Sequence, residues 1–328
     1  MRSVSLDLLR QLSRLDGVPA PELARALGVS RTVLGRALAR LAERGLIEDD
    51  GSRARLAAQF DFLDAAPIRA ELGALAGEID VEVLDACGST NTELLHAPRD
   101  AGRTGRSRLL VAEEQTAGRG RRGRRWVSAL GDGLALSLRR DFSCAPRDLA
   151  ALSLAAGVAT ARALRALGAR ETRLKWPNDL LIGGAKLGGI LVETRAAQGS
   201  ARQAIAAVVG VGINLRAAAG LGARLRRRVA ALEDALAPLP SRNRIAARIA
   251  LELHGALAVF EAGGLNAFRS EWEALDAHRG SRLRIRMADG RVLAGIAEGL
   301  AEDGGLRLRT ARGLQAVRNG HVILPRAA

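Results

Sequence analysis

The spacing of apolar residues changes twice along this chain, and the two changes divide it into three kinds of structure. Over residues 1–57 the apolar residues recur at helical spacing. Over residues 79–275 short apolar runs alternate with long helical patterns, which is typical of an α+β domain around a large mixed sheet. Residues 276–328 alternate with a period of two, which predicts the hairpins of a small β-barrel. Residues 58–78, which include Pro67, show no clear tertiary pattern and are expected to be a linker.

The N-terminal region has the layout of a winged helix-turn-helix. A first amphipathic helix is predicted from leucines at helical spacing, namely Leu6, Leu9, Leu12 and Leu15. Pro21 favours the start of a short second helix, and Gly28 favours its end. Ser30 is a natural N-cap for a third helix. The Asp50-Gly51 turn that follows fits a small hairpin, which would form the wing.

The third helix is expected to have one buried face and one exposed face. The residues expected to be buried are Val33, Leu34, Ala37, Leu38 and Leu41. The residues expected to contact DNA are Arg31, Thr32, Arg36 and Arg40. In a recognition helix, the N-terminal residues enter the major groove. A helical protein-interaction module has the same shape, so the pattern favours DNA binding and leaves that alternative open.

The composition indicates a globular chain, since 48% of the residues are apolar and 26% are charged. No apolar run approaches the roughly 18 residues that a membrane span needs, and the N-terminus lacks the apolar segment of a signal peptide. Cys87 and Cys144 show no CxxC spacing, and the four histidines are scattered. We therefore expect neither a disulfide framework nor a protein-held metal, and a reducing cytoplasm is the simplest setting.

The charge of the chain indicates its partners. A net charge of +15 favours a polyanion such as nucleic acid or nucleotide phosphate. Lys175 and Lys186 are the only two lysines among 50 basic residues. Where arginine is the default cation, a lysine is expected at a position that needs a compact ammonium group. The alternative is two ordinary surface charges, but both lysines lie inside motif-like segments, which favours a functional role.

The segment Gly118–Trp126, with the sequence GRGRRGRRW, combines three glycines with five arginines. Glycines let the backbone approach a ligand closely, and the arginines suit phosphate groups. Because the arginines repel one another, we expect residues 113–128 to become ordered when an anion neutralises them. The segment also matches GxGxxG, but no helix is predicted after it, so a dinucleotide site is not expected. A solvated basic loop, or nonspecific contact with RNA, is the simpler alternative.

Two further segments carry polar residues at spacings that suit a nucleotide. They are KWPND at residues 175–179 and KLGGILVE at residues 186–193. The Gly-Gly-Ala-Lys sequence before the second segment lacks the spacing and the Ser/Thr of a Walker loop. An aromatic ring, an amide, a carboxylate and a lysine suit a purine and its phosphates. Taken alone, the segments could equally be a buried strand and a turn with polar ends.

The four segments GRGRRGRRW, KWPND, KLGGILVE and GVGINL occur in this order after Gly88-Ser89-Thr90-Asn91. In this combination the chain resembles the biotin protein ligases of the bifunctional type that also repress the biotin operon. The resemblance covers nearly the whole chain, and it implies a biotin/lipoate ligase-like central sheet and an SH3-like C-terminal barrel. The related lipoate ligases share the central fold, but they are expected to have a different motif and no DNA-binding head.

The resemblance implies a reaction in two steps. The carboxylate of biotin attacks the α-phosphate of ATP, with Mg²⁺ assisting, and gives biotinyl-5′-AMP and pyrophosphate. A lysine of the biotin carboxyl carrier protein then attacks this mixed anhydride. The catalytic residues implied are Lys186 and Arg121, whose positive charges would stabilise the reacting phosphate.

The resemblance also implies the binding residues. Those for biotin are Ser89, Thr90, Asn91, Gln115, Arg119, Gly120, Arg121, Lys186 and Gly189. Those for ATP and the adenylate are Arg121, Arg122, Trp126, Lys175, Asn178, Asp179 and Asn214. No residue is assigned to a metal. The partners implied are the carrier protein, operator DNA bound by residues 1–57, and a second copy of the chain once ligand is bound, with no membrane. The alternative is a ligand-sensing repressor whose ligase centre no longer works, but the intact Lys186 and the arginine-rich segment favour the enzyme.

Overall fold

A computed structural model describes residues 3–15, 17–98, 106–144, 149–196, 205–216, 221–223, 228–287 and 289–323. Within these residues the chain forms three β-sheets, of three, seven and five strands. Helices pack against the first two sheets, so the predicted α+β class is confirmed. No helix in the described part of the chain is long and apolar enough to cross a membrane.

The N-terminal helices and sheet have the predicted winged helix-turn-helix arrangement. In order they are α1 (Val4–Leu12), β1 (Val18–Pro19), α2 (Ala20–Leu27), α3 (Arg31–Glu43), β2 (Ile47–Asp49) and β3 (Arg53–Leu56). Gly28 ends α2 in the left-handed conformation, with φ of 65°, which glycine adopts without steric cost. The Ser30 hydroxyl accepts a hydrogen bond from the Val33 N–H and so caps α3. Strands β2 and β3 pair antiparallel around the predicted turn and form the wing.

Two details of this region differ from the prediction. The first helix ends at Leu12, and Leu15 lies beyond it and is exposed. Val33 is 40% exposed, so its assignment to the buried face was wrong. The buried residues of α3 are Leu34, Ala37, Leu38 and Leu41, at the spacing i, i+3, i+4 and i+7. Val33 precedes this set by one residue, which is about 100° around the helix, and therefore points away from the core.

The segment predicted to be a linker contains a helix and contributes to the core. Helix α4 (Ala65–Leu72) is followed by a 3₁₀ turn (Gly73–Gly77). Ile68 and Leu72 are buried in the hydrophobic core of the central region. The prediction missed the helix because it is short and offers only these two large buried residues as a pattern.

The N-terminal region is held against the central sheet by polar contacts at three places. The Arg10 guanidinium donates to both carboxylate oxygens of Asp85, at 2.8 and 2.6 Å. The Ser3 hydroxyl donates to Glu114 at 3.1 Å. Arg44, just after α3, pairs with Asp132 at 3.0 Å and also donates to the Leu130 carbonyl. The Leu130 side chain joins the core of the winged helix-turn-helix.

The central sheet has the strand order β4-β5-β6-β10-β9-β8-β7, in which only β4 and β5 pair in parallel. Its strands are β4 (Ile79–Cys87), β5 (Ser107–Gln115), β6 (Gly133–Phe142), β7 (Arg173–Lys175), β8 (Asp179–Ile182), β9 (Ala185–Ala196) and β10 (Ile205–Asn214). Its other helices are α5 (Thr90–His96), α6 (Leu152–Ala166), α7 (Arg242–Gly263) and α8 (Asn266–Leu275). Helix α4 packs on α7, and α6 packs between α7 and α8.

The two faces of the central sheet have different coverings. On β10, Val209, Val211 and Ile213 point into the main core. The alternate residues of β10 point to the opposite face, where α5 lies and where Val208 packs on Leu94 of α5. This second face is only partly covered by α5, and the remainder of it forms the floor of a cavity.

The C-terminal strands form a five-stranded antiparallel sheet with the order β14-β13-β12-β11-β15. They are β11 (Arg282–Arg286), β12 (Val292–Leu300), β13 (Leu306–Thr310), β14 (Gly313–Val317) and β15 (His321–Ile323). The hairpins predicted from the period of two are confirmed, whereas closure into an SH3-like barrel stays a prediction. The buried Trp176 indole donates to the Gly304 carbonyl at 3.1 Å and joins this sheet to the central region.

Candidate active site

One cavity on the second face of the central sheet collects almost every residue predicted for the ligands. The predicted residues that line it are Ser89, Thr90, Asn91, Gln115, Arg119, Gly120, Arg121, Arg122, Trp126, Lys175, Asn178, Asp179, Lys186 and Gly189. They come from segments far apart in the sequence, which the strand order of the central sheet brings together.

One end of the cavity is neutral and rich in hydrogen-bonding groups. Helix α5 begins at Thr90, so Thr90 and Asn91 lie in its first turn, and both are buried. The Gln115 side-chain oxygen accepts from the Thr90 N–H at 2.8 Å. Ser137 of β6 lies within hydrogen-bond distance of the Thr90 hydroxyl and of Asn91 Oδ1, at 2.7 and 2.6 Å. Asn91 Nδ2 donates to Glu193 at 3.0 Å. These contacts fix the orientation of the side chains, and neutral donors and acceptors suit an uncharged polar ligand such as a urea.

Glycines of β10 form the floor of the cavity. An added Cβ on Gly210 would lie 2.2 Å from Asn91 Oδ1. An added Cβ on Gly212 would lie 2.4 Å from Cε2 of the Trp126 indole. Either distance is far below a normal contact, so the two glycines of GVGINL allow Asn91 and Trp126 to rest directly on the strand. These two glycines had no predicted role, although small residues two apart on a strand share a face.

The arginine-rich segment folds back on itself above the cavity. The Gly120 N–H donates to the Arg124 carbonyl at 2.7 Å, and the Trp126 N–H donates to the Gly118 carbonyl at 2.9 Å. Only a three-residue 3₁₀ turn (Arg121–Gly123) occurs within it, so no α-helix N-terminus is available for a dinucleotide pyrophosphate.

The arginines of this segment differ in their surroundings. Arg119 pairs with Glu193 at 2.8 Å near Asn91, and the two opposite charges offset each other there. Burial, and next the neighbouring charge of Arg122, lowers the pKa of Arg121 below its ordinary value. Arg122 and Arg124 line the cavity and make no ion pair with another residue in the described part of the chain. The segment therefore places cationic groups in the cavity that an anion could neutralise.

Both lysines of the chain approach one carboxylate in the cavity. Lys186 donates to Asp179 Oδ1, and Lys175 lies 3.7 Å from Asp179 Oδ2. The side chains of Lys186 and Lys175 are 22% and 11% exposed, so the alternative of two ordinary surface charges was wrong. Asn178, beside them, donates to the Ile190 carbonyl at 2.8 Å, and its side-chain oxygen lies 3.5 Å from Arg121 Nη1. Two ammonium groups, an amide and a guanidinium thus meet beside Trp126.

One predicted site residue does not reach the cavity, whereas two residues of the C-terminal region, which had no predicted role, do. Asn214 is buried, and its amide donates to the carbonyls of Lys186 and Ala230, at 3.3 and 3.1 Å. It positions the backbone of Lys186 and does not line the cavity, so its assignment to direct adenylate binding is not supported. Gly320 and His321 of the C-terminal region do line the cavity. Burial, followed by the charges of Arg124 and Lys175, lowers the pKa of His321.

The chain belongs to the biotin protein ligase family. Residues 88–214 match the Biotin/lipoate A/B protein ligase family, residues 278–324 match the Biotin protein ligase C terminal domain, and residues 2–55 match the MarR family. The chain is 34% identical to the bifunctional ligase/repressor BirA of Escherichia coli over 308 residues, which is 93% of this chain and 92% of that protein. It is 28% identical to BirA of Bacillus subtilis over 326 residues, which is 97% of this chain and 98% of that protein.

A solved structure agrees with this assignment. The biotin protein ligase of Aquifex aeolicus, in complex with biotin and ATP, superimposes with a TM-score of 0.62 at 25% sequence identity. The superposition covers 76% of this chain and 99% of that chain.

Proposed function

We propose that this chain is a bifunctional biotin protein ligase that also represses transcription. The observation that carries the ligase proposal is the meeting of the neutral pocket around Asn91 with Lys186 and Arg121 in one cavity. A pocket of neutral donors and acceptors suits the ureido ring of biotin. The cationic groups would then meet its carboxylate and the α-phosphate of ATP.

In the first step, a carboxylate oxygen of biotin attacks the α-phosphorus of ATP, and the bond to the pyrophosphate oxygen breaks. Ser89, Thr90, Asn91 and Gln115 would hold the biotin ring. Lys186 and Arg121 would stabilise the charge that builds on the α-phosphate oxygens in the transition state. Asp179 holds Lys186 in the cavity before the ligand arrives.

The nucleotide would lie on the Trp126 side of the cavity. The indole rests on Gly212 and would offer a flat surface for adenine, and Asn178, which lines the same cavity, would contact the edge of the base. Arg122 would contact phosphate oxygens. Lys175 keeps Asp179 in place from the side opposite to Lys186.

In the second step, the amine of a lysine on the biotin carboxyl carrier protein attacks the carbonyl carbon of biotinyl-5′-AMP. An amide bond forms, the bond to the phosphate oxygen breaks, and AMP leaves. Closure of the arginine-rich segment over the adenylate would exclude water, which otherwise hydrolyses the anhydride.

Mg²⁺ is proposed only as part of the ATP substrate. Among the described residues that line the cavity, Asp179 is the sole carboxylate, and both lysines already contact it. Mg²⁺ prefers several oxygen ligands at near-octahedral geometry, so this donor set does not fit a protein-held ion. The ion would enter on the phosphate oxygens of ATP.

The repressor proposal is supported by the exposed face of α3. Arg31, Thr32, Arg36 and Arg40 are all exposed, as a recognition helix requires. Residues 1–57 contain ten arginines and seven acidic residues, so one copy makes few phosphate contacts and should bind DNA weakly at physiological salt. Two copies on a two-fold operator would bind stably, and we propose that biotinyl-5′-AMP promotes that dimer.

The ligase proposal is tested by pyrophosphate release from biotin and ATP, followed by transfer of biotin to the unmodified carrier protein. We expect both activities. A protein that binds biotin and ATP but releases no pyrophosphate would instead be a ligand-sensing repressor.

The repressor proposal is tested by sedimentation and by operator titration, each with and without biotin plus ATP. We expect a larger mass and tighter operator binding with the ligands. Equal mass and equal DNA affinity under both conditions would contradict the proposed role of the adenylate. Hydrogen exchange over residues 113–128 should slow in the same ligand-bound sample, and unchanged exchange would contradict closure of the segment.

A further inference from the structure

One face of the C-terminal sheet is exposed, and it combines a row of arginines with a row of aliphatic side chains. Arg282, Arg284 and Arg286 alternate along β11, so all three point to this face. Their direct partners on β12 are Ile296, Ala294 and Val292, in that order. We call these two sets the arginine row and the aliphatic row. Directly paired residues of neighbouring strands share a face, so the two rows lie side by side.

The aliphatic row is unusually exposed for this chain. Val292 and Ile296 are each 43% exposed, and Leu314, which shares the face through Arg309, is 52% exposed. Three of the six large hydrophobic side chains that are exposed in the described residues therefore lie on this one small sheet face. Arg309 lies between Ile296 and Leu314, so the exposed apolar side chains of this face alternate with charged ones. Exposed apolar side chains collected on one face and bordered by charges indicate an interaction surface.

The face reaches the edge of the active-site cavity. His321 lines the cavity, and its direct partner on the neighbouring strand is Arg286 of the arginine row. A protein whose lysine side chain enters the cavity must rest on the surface around the opening. The arginine row and the aliphatic row form part of that surface.

The charge of the face indicates the chemistry of its partner. No residue of the arginine row makes an ion pair with another residue in the described part of the chain. Glu298 on β12 is already paired with Arg309 at 2.5 Å. A second copy of the chain that presents the same face would therefore bring more arginines and no free carboxylate to it. A partner with acidic side chains around an apolar patch is complementary to it.

Nucleic acid fits the face less well than an acidic protein does. Surfaces that bind single strands use aromatic rings for stacking, and residues 281–323 contain no Phe, Tyr or Trp. Phosphates would also leave the aliphatic row uncovered. We propose that this face docks the acidic surface of the carrier-protein domain whose lysine receives biotin. The proposal rests on the proposed ligase function and assigns a docking surface to its second step.

The test is a pair of charge reversals on the row, away from the cavity edge. R282E/R284E is compared with R312E, which makes the same change at the exposed β13–β14 turn of the same sheet. Three activities are measured: pyrophosphate release without carrier, biotin transfer to hydroxylamine, and transfer to the purified unmodified biotin carboxyl carrier domain. For R282E/R284E we expect the first two to stay within about twofold of wild type. We expect kcat/KM for the carrier to fall at least about tenfold, mainly through KM. R312E should transfer as wild type does.

A second variant, V292T/I296T, keeps the branching at Cβ in both side chains and replaces apolar surface by hydroxyl groups without changing charge. We expect it also to raise KM for the carrier and to leave pyrophosphate release unchanged. For the wild type, KM for the carrier should rise with added salt, and R282E/R284E should show a weaker rise.

The outcomes separate this proposal from the ligase proposal. Absence of pyrophosphate release in the wild type would overturn the ligase function itself. A wild type that transfers biotin, together with R282E/R284E having an unchanged KM for the carrier, would overturn the docking surface alone. Parallel loss of pyrophosphate release in R282E/R284E would also overturn it, because the row would then act on the cavity. Binding of a single-stranded oligonucleotide to this face, with no effect on biotin transfer to the carrier, would also overturn the docking surface.

Discussion

Replacing Gly212 by alanine should weaken nucleotide binding by displacing Trp126. An added Cβ would lie 2.4 Å from Cε2 and 2.7 Å from Cζ2 of the indole, whereas an ordinary contact begins near 3.4 Å. The ring must therefore move by about 1 Å. It is not free to do so without cost, because the backbone N–H of Trp126 is held by the Gly118 carbonyl at 2.9 Å.

The size of the effect follows from this overlap. Inserting a methyl group into a packed site costs about 1–3 kcal/mol. If this cost falls on the ligand complex, affinity for ATP decreases by about 5- to 160-fold. Gly210→Ala should affect biotin instead, because its Cβ would lie 2.2 Å from Asn91 Oδ1.

The assay is pyrophosphate release as a function of ATP at saturating biotin, and as a function of biotin at saturating ATP. Gly255→Ala is the control, since this exposed helical glycine has nothing within 4 Å of an added Cβ. That variant should keep wild-type kinetics and gain up to about 1 kcal/mol in free energy of unfolding. A folded Gly212→Ala protein with wild-type KM for ATP would refute the placement of the nucleotide beside Trp126.

Three further predictions concern charged groups. Lys186→Arg should reduce pyrophosphate release by about 10²-fold or more, because a guanidinium cannot take the place of the compact ammonium group. The melting temperature should stay unchanged, and near-normal release would count against a catalytic role of Lys186. Arg44→Ala should lower the free energy of unfolding by about 1–2 kcal/mol, because it leaves Asp132 and the Leu130 carbonyl without their donor. Chemical denaturation measures this change, and an unchanged free energy would show that the contact contributes nothing. Burial raises the pKa of Asp276 to about 6, so the folded state holds its proton more tightly and the free energy of unfolding falls as pH rises from about 4 to about 6. Asp276→Asn should remove on the order of 2–3 kcal/mol of this pH dependence, seen as the difference between wild-type and variant melting curves, and parallel curves would rule the titration out.

Much of the fold could be predicted because each region has one dominant apolar period. Leu34, Ala37, Leu38 and Leu41 recur at the helical spacing, and this alone orients α3. The strand β10 carries an apolar run that is typical of a strand covered on both sides, and the structure buries every residue of it. Periodicity is a local property of the chain, so a sequence reports it directly.

The parts that escaped prediction depend on contacts between distant segments. Helix α4 contributes only Ile68 and Leu72 to the core, and its place is set by packing on α7. His321 joins the cavity only because the C-terminal sheet docks beside it. Asn214 looked like a ligand residue because it ends a motif, yet the strand pairing directs its amide to the Lys186 carbonyl. No local pattern encodes these three placements.

The segment between the cavity and β6 connects the two proposed functions. Trp126 rests on Gly212 in the cavity, whereas Leu130, four residues later, is buried in the core of the winged helix-turn-helix. Asp132 follows, and it pairs with Arg44 at the end of α3. A ligand that moves or fixes Trp126 therefore acts on a short tether whose other end packs against the DNA-binding region. A ligand changes DNA affinity only if it binds two arrangements of the protein unequally. This tether contacts both sites, so each site can bias its arrangement. Arg44→Ala would loosen the tether at the DNA-binding end without changing any residue of the cavity.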